Sequence, residues 1–468
     1  MPGPQRVLSL PYHADPLPLL AALRPLGRAV LLHSADPTHA FARYDIVSAA
    51  PRLALETRGT VTRLLDGGGC RESRRDPFEL MDEVLAGTPA PADRDAPFAG
   101  GFVGLAGYDL ARREAAVARR LQGTAANPSP FPDLAAGLYG WAIVTDHLAR
   151  TTTLQVLPGE SCPDDLAARL ARARAPEPLA PPHLAPEVDR DGYGAAFRRV
   201  QAWIRAGDCY QVNLAVPFSA PCEDDALALY AGLIAHQPAP YAGFLETPDG
   251  AVLSCSPERL LRCEQGVLET SPIKGTRPRH ADGARDAAAA AELLASPKER
   301  AENLMIVDLL RNDLGRSCRP GTIAVPRLFE VQSFPAVHHL VSTIRGELQD
   351  GVTPLAALAR AFPGGSVTGA PKLRAMEIID VLEPRRRGPY CGSLFRVDAA
   401  GRLDASITIR TLLLAGGRLS CWGGGGLVAD SEEEAEWREI HAKIGSLVGH
   451  PEVAVSVPAQ ASAAKACS

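Results

Sequence analysis

Ser254-Cys255-Ser256-Pro257-Glu258 closes one apolar run, and Glu269-Thr270-Ser271-Pro272-Ile273-Lys274-Gly275-Thr276, beginning eleven residues later, closes another. Each run has strand length, and each ends at a proline that cannot continue a ladder. A carboxylate follows the first proline and an amine follows the second, so a hairpin-like order would bring Glu258 and Lys274 to one rim of a sheet. A lysine in a semi-enclosed pocket can shed its proton through desolvation and act as a nucleophile. A carboxyl beside it can act as a general acid if burial raises its pKa. The alternative at this stage is a salt bridge between two loop tips.

Outward from this segment, strands and helices alternate. Strands are expected at Arg28 to His33, Gly137 to Thr145, Thr151 to Leu157, Tyr241 to Glu246, Ala251 to Ser254, Val267 to Thr270, Val337 to Glu347 and Arg402 to Leu414. Apolar residues at helical spacing predict helices over Asp191 to Asp208, Pro297 to Asn312, Pro371 to Leu382 and Glu432 to Leu447. Five prolines between Arg172 and Arg190 predict a linker. The organisation expected is an N-terminal lobe over 1–171, the linker over 172–190, a catalytic unit over 191–450, and a tail over 451–468 that is small, polar and disordered at its end.

The 468 residues carry 49 Lys and Arg against 54 Asp and Glu, a formal charge of −5. That argues against nucleic acid as the main partner, since phosphate neutralisation needs a basic face. Hydrophobic residues at 46% exclude a disordered chain. No apolar run of membrane-spanning length occurs, because Arg24 and Arg28 cut the nearest one, and the first residues lack a basic-then-apolar order. The expected location is the cytoplasm. Ten cysteines without a C-x-x-C pair exclude the usual structural zinc spacings and predict reduced core residues.

Two acidic pairs recur at helical spacing. Glu299 and Glu302 share one helix face; Glu436 and Glu439 share another, with Lys443 two turns past Glu436. Taken singly, each is a solvated acidic face; two together would suit a hard cation such as Mg²⁺. Gly364-Gly365-Ser366-Val367-Thr368-Gly369-Ala370-Pro371-Lys372 leads into a helix whose first N–H groups favour an anion. The run Trp422-Gly423-Gly424-Gly425-Gly426 would let backbone approach a ligand closely. Plain turns are the alternative for both.

In order along the chain, these motifs resemble those of the chorismate-utilising enzymes: S-P-E at 256–258, P-I-x-G-T at 272–276, K-E-R-A-E through R-N-D at 298–313, H-L-V-S at 339–342, G-x-x-x-G-A-P-K at 365–372, I-R-T at 409–411, and a glycine run followed by E-x-x-E at 423–443. The resemblance is strong over about 188–450 and weaker near Ser34 and Arg43 to Val47. It implies an α+β fold of two packed antiparallel sheets with helices outside, the linker then being a crossing between intertwined lobes. It also implies chorismate as substrate. Within the family, anthranilate synthases have alanine where this chain has Lys274, and threonine where it has Ser366; lysine marks the branch that makes 4-amino-4-deoxychorismate from chorismate and ammonia. By that likeness Glu258 is the acid, Lys274 the nucleophile and His339 a pocket histidine. Gly275, Thr276, Ser366, Tyr390, Arg410, Gly424, Gly425, Gly426 and Lys443 fall at substrate-binding positions. Glu302 and Glu439 would hold Mg²⁺, with Glu299 and Glu436 as secondary ligands. No cysteine lies in a G-x-C-x-G nucleophile elbow, so ammonia is expected from a separate glutamine amidotransferase subunit. A tryptophan-sized site would involve Ser34, Phe41, Ala42, Arg43, Tyr44, Pro240 and Tyr241, with ordinary sheet packing as the alternative.

Overall fold

The computed structural model describes residues 5–36, 42–91, 97–121, 123, 129–334 and 337–448. The expected tail, 451–468, lies outside the described residues, as does Phe41. Two twelve-stranded sheets form the body, and every ladder in them is antiparallel. Strands from before and after residue 190 enter both sheets. In the first sheet Val30–His33 pairs Tyr241–Thr247; in the second Gly101–Ala106 pairs Ser393–Val397.

Period-two alternation assigns the faces. Leu31, Val47 and Ile143 point to a core shared with the helices Leu17–Leu23, Arg190–Arg205, Ala226–His236 and Glu433–Val448. Their neighbours Val30, Ile46 and Val144 point the other way and meet Val103, Leu105 and Leu394 of the second sheet. A third core packs the second sheet against Pro77–Ala86, Pro297–Gly315 and Pro354–Ala361. The central strands are therefore covered on both faces, which is why they read as unbroken apolar runs.

Two expected strands are each two strands. Gly137 to Thr145 divides at Gly140 into Leu134–Tyr139 of the second sheet and Trp141–Asp146 of the first. Arg402 to Leu414 divides into Leu403–Ser406 of the second sheet and Thr411–Ala415 of the first. Neither run shows its corner locally: Gly140 sits in an apolar stretch, and Thr408 and Arg410 merely continue the alternation of polar and apolar residues that begins at Leu403. Pro257 and Glu258 lie at a third crossing, between Gly250–Ser256 of the first sheet and Arg259–Glu264 of the second. The described cysteines are all free, and seven are buried. No helix among the described residues is long and apolar enough to cross a membrane.

The helix Pro297–Gly315 is tied to its surroundings by buried polar contacts. Ser342 Oγ donates to Asn303 Oδ1 at 2.6 Å, and Asn303 Nδ2 donates to the Leu340 carbonyl at 3.4 Å. At the far end, Lys372 Nζ donates to Asp313 at 2.7–2.8 Å and to the Ala361 carbonyl at 3.0 Å. Burial pushes the Lys372 pKa down against the pull of Asp313. Lys372→Met would leave a buried carboxylate without its partner, a change expected to cost about 3–5 kcal/mol. A clear fall in the thermal midpoint by circular dichroism is the expected reading; an unchanged midpoint would show that Asp313 finds another partner.

Candidate active site

Three hydrogen bonds between neighbouring crossings build the floor of the cleft. Ser256 Oγ donates to the Ile407 carbonyl at 2.5 Å, the Ile407 N–H to the Glu258 carbonyl at 3.0 Å, and the Cys255 N–H to the Arg410 carbonyl at 3.0 Å. Glu258 and Arg410 are thereby held at the same end of the two sheets. Arg410 takes a left-handed backbone (φ 50°), an uncommon conformation for a side chain of that size. Its guanidinium reaches solvent along the cleft, yet protein surrounds it closely enough to lower its pKa.

Burial raises the Glu258 pKa, opposed by the charge of Lys274 and by Ser366, whose hydroxyl donates to Oε1 at 3.1 Å. Lys274 stands on Ile273–Pro278, beside Leu340 on Val337–Glu347. The register shifts between Lys274 and Thr276, a bulge made at Gly275, where φ is +74°. A Cβ there would stand 2.9 Å from Glu299 Oε2 and 2.7 Å from Leu293. Only glycine fits both the left-handed turn and the close approach of the helix. Past the bulge, Thr276 Oγ1 lies 3.0 Å from His339 Nδ1, and burial lowers the His339 pKa. Among the described residues, neither Lys274 nor Arg410 makes an ion pair or a side-chain hydrogen bond. Two cations without contact partners in one cleft suit an anion.

The acidic residues come from two helices that face one another across this region. Burial raises the Glu302 pKa; Lys274 and Lys298 oppose it, while Glu299 and Glu439 raise it further. Burial also raises that of Glu436, which accepts a 2.8 Å hydrogen bond from Ser431. Glu439 pairs with Lys443 at 2.7 Å, and Glu299 faces Arg277 at 3.6 Å. Among the described residues no three acidic, histidine or cysteine side chains converge into a cage. Carboxylates close enough to raise one another's pKa are an all-oxygen donor set of the type that Mg²⁺ takes together with waters.

The glycine run lies on Arg418–Leu427, beside Gln211–Pro221 and against the helix that carries Glu436 and Glu439. A Cβ on Gly424 would lie 2.8 Å from the Tyr390 hydroxyl, and one on Gly425 2.9 Å from Glu436 Oε2. Gln211 Nε2 would stand 2.7 Å from one on Gly426. Lys443 Nζ donates to the Gly424 carbonyl at 2.9 Å. The Tyr390 ring stacks on Trp422 at 6.1 Å and 10°.

The loop before Lys372 is partly committed elsewhere. Its Gly369–Ala370 backbone pairs with Gln211 and Val212, and its lysine pairs with Asp313, so Ser366 is the group it presents to the cleft. Ser34, Tyr44, Pro240 and Tyr241 line a separate pocket of about 100 Å³ between the sheets. Ala42 is buried nearby in sequence, and Arg43 pairs with Asp146 at 2.7 Å and lines an adjoining arginine-rich cleft. Asn303 and Ser342, which anchor the helix that carries Glu299 and Glu302, lie within the motifs but carry no separate signal in the sequence.

A family model described as chorismate binding enzyme matches residues 28–449. Aminodeoxychorismate synthase component 1 of Salmonella typhimurium is 45% identical over 450 residues, covering 95% of this chain and 98% of that protein. Anthranilate synthase component 1 of Thermus thermophilus is 39% identical over 426 residues, covering 88% and 90%. The crystal structure of anthranilate synthase component I from Streptococcus pneumoniae superposes with a TM-score of 0.76 at 29% identity, covering 87% of this chain and 92% of that one. The matched span takes in every strand of both sheets except the edge strand Arg6–Leu10, and every cleft residue described above, and on that ground the chain belongs to the family of chorismate-binding enzymes.

Proposed function

We propose that this chain aminates chorismate at ring position 4, giving 4-amino-4-deoxychorismate on the route to p-aminobenzoate and folate. The observation that carries the reading is Lys274, an amine without a contact partner among the described residues, within electrostatic reach of the protonatable Glu258. The relatives named aminodeoxychorismate synthase component 1 support it.

In this mechanism Glu258 gives its proton to the 4-hydroxyl, which departs as water when the C4–O bond breaks. Lys274, attacking as the free amine, bonds to C2 as the ring double bonds shift, leaving a secondary ammonium adduct. Ammonia then bonds to C4; the electrons return through the ring and the C2–N bond breaks, releasing the lysine as an amine. Glu258 takes its proton back from solvent. Two displacements replace one difficult substitution. Arg410, Tyr390, Lys443 and the Gly424 to Gly426 amides hold a substrate carboxylate; Thr276 and Ser366 line the ring; His339, kept neutral by burial, positions it. Mg²⁺, held by Glu302 and Glu439 with Glu299 and Glu436 in support, would neutralise the other carboxylate beside those acidic side chains. The pocket at Ser34 and Tyr241 is read as a tryptophan-sized amino-acid site.

Anthranilate synthesis is the competing reading, favoured by relatives of that name at 39% identity. Product analysis with chorismate and ammonium decides: aminodeoxychorismate supports the proposal, anthranilate replaces it. Intact-mass measurement should find a chorismate-derived adduct on the wild type and none on Lys274→Ala; an undiminished adduct on the variant refutes the nucleophile. The isolated chain is expected to work with ammonium salts and not with glutamine, ammonia coming from a separate amidotransferase subunit; glutamine-dependent turnover by the chain alone would contradict this. The Ser366 hydroxyl favours the ionised form of Glu258, so Ser366→Ala should raise that pKa further. The acid must be protonated to act, so the alkaline limb of kcat/KM for chorismate, at fixed free ammonia, should move to higher pH.

A further inference from the structure

Arg387 follows the helix Lys372–Leu382 and is 1% exposed. Its guanidinium donates to both oxygens of Glu383, from Nε at 2.9 Å and Nη2 at 2.6 Å. Nη2 also donates to the Asn213 carbonyl at 2.6 Å, and Nη1 to the Val367 carbonyl at 3.0 Å. Glu383 accepts in turn from the Ala215 N–H at 3.0 Å. The rings of Tyr108 and Tyr390 lie against the guanidinium, 4.8 and 5.6 Å from their centroids.

Each of these partners is one step from the cleft. Val367 follows Ser366, which holds Glu258. Asn213 lies opposite Gly426 in the ladder, and its side chain is near the Tyr390 hydroxyl. Tyr390 touches the glycine run directly. A buried ion pair adds little stability over apolar packing of the same volume, so stability alone does not explain a four-bond fork here. A planar guanidinium fixes the mutual distance of several acceptors in a way that an ammonium cannot.

We propose that Arg387, with Glu383 as its counter-ion, is a positioning residue for substrate binding: its fork sets the spacing between the Ser366 turn, the Gly424–Gly426 backbone and Tyr390, and so the grip on a substrate carboxylate. The proposal rests on the reading of the cleft as a chorismate site.

The test is Arg387→Lys in the full chain, assayed with ammonium. The expected result is a KM for chorismate raised at least tenfold, with kcat at saturation changed less than threefold and the KM for ammonium unchanged. A merely structural role would lower kcat in proportion to the folded fraction and leave the chorismate KM alone; that result overturns the proposal. Should the lysine variant fail to fold, Glu383→Gln, which loses the counter-charge but keeps an acceptor for the Ala215 N–H, carries the same expectation. A wild-type chain that binds chorismate without aminating it would sink the reaction assigned above and not this inference, which is then judged by chorismate affinity in titration calorimetry: weaker binding by either variant upholds it, equal binding ends it.

Discussion

The cleft depends on a few hydrogen bonds where the chain leaves one sheet for the other. The Ser256 hydroxyl on the Ile407 carbonyl, with the Ile407 N–H on the Glu258 carbonyl, locks two crossings side by side. A sheet edge or a free loop would leave Glu258 in water, where it would be an ordinary carboxylate. At a corner between two packed sheets it is enclosed, and enclosure raises its pKa.

Around that carboxyl the charges are arranged by opposition. Lys274 lowers the cost of the nearby carboxylates, and Glu299 and Glu439 raise the cost of Glu302. Among the described residues the Lys274 and Arg410 side chains lack contact partners, while the carboxylates on two helices repel each other. The helix Pro297–Gly315 can present its glutamates accurately because Asn303 and Asp313, further along the same helix, are anchored in the interior.

Much of this was legible in the chain. The helices at 190–205, 297–315, 372–382 and 433–448 follow from spacing, because amphipathic periodicity survives wherever a helix keeps one wet face. The runs through Gly140 and through Ile407 to Arg410 misled, because the first stays apolar and the second keeps its alternation of polar and apolar residues while the chain turns from one sheet into the next. The glycine-rich loop before 372 reads as an anion site built from backbone N–H groups, yet its Gly369–Ala370 backbone pairs with Gln211 and Val212 and Lys372 turns inward to Asp313; nothing local announces those long-range partners.

The sequence by itself determined the chemistry available: an amine at 274, a carboxyl at 258, two glutamate pairs at helical spacing and glycines where backbone must come close. Those are properties of residue type and local spacing, which a linear reading can see. Only the tertiary structure decided which of them face one another, which are buried enough to change their proton affinity, and that Arg387 sits at the junction of three cleft elements. Such facts depend on contacts between residues up to about two hundred positions apart, through enclosure and hydrogen bonding that no local pattern encodes.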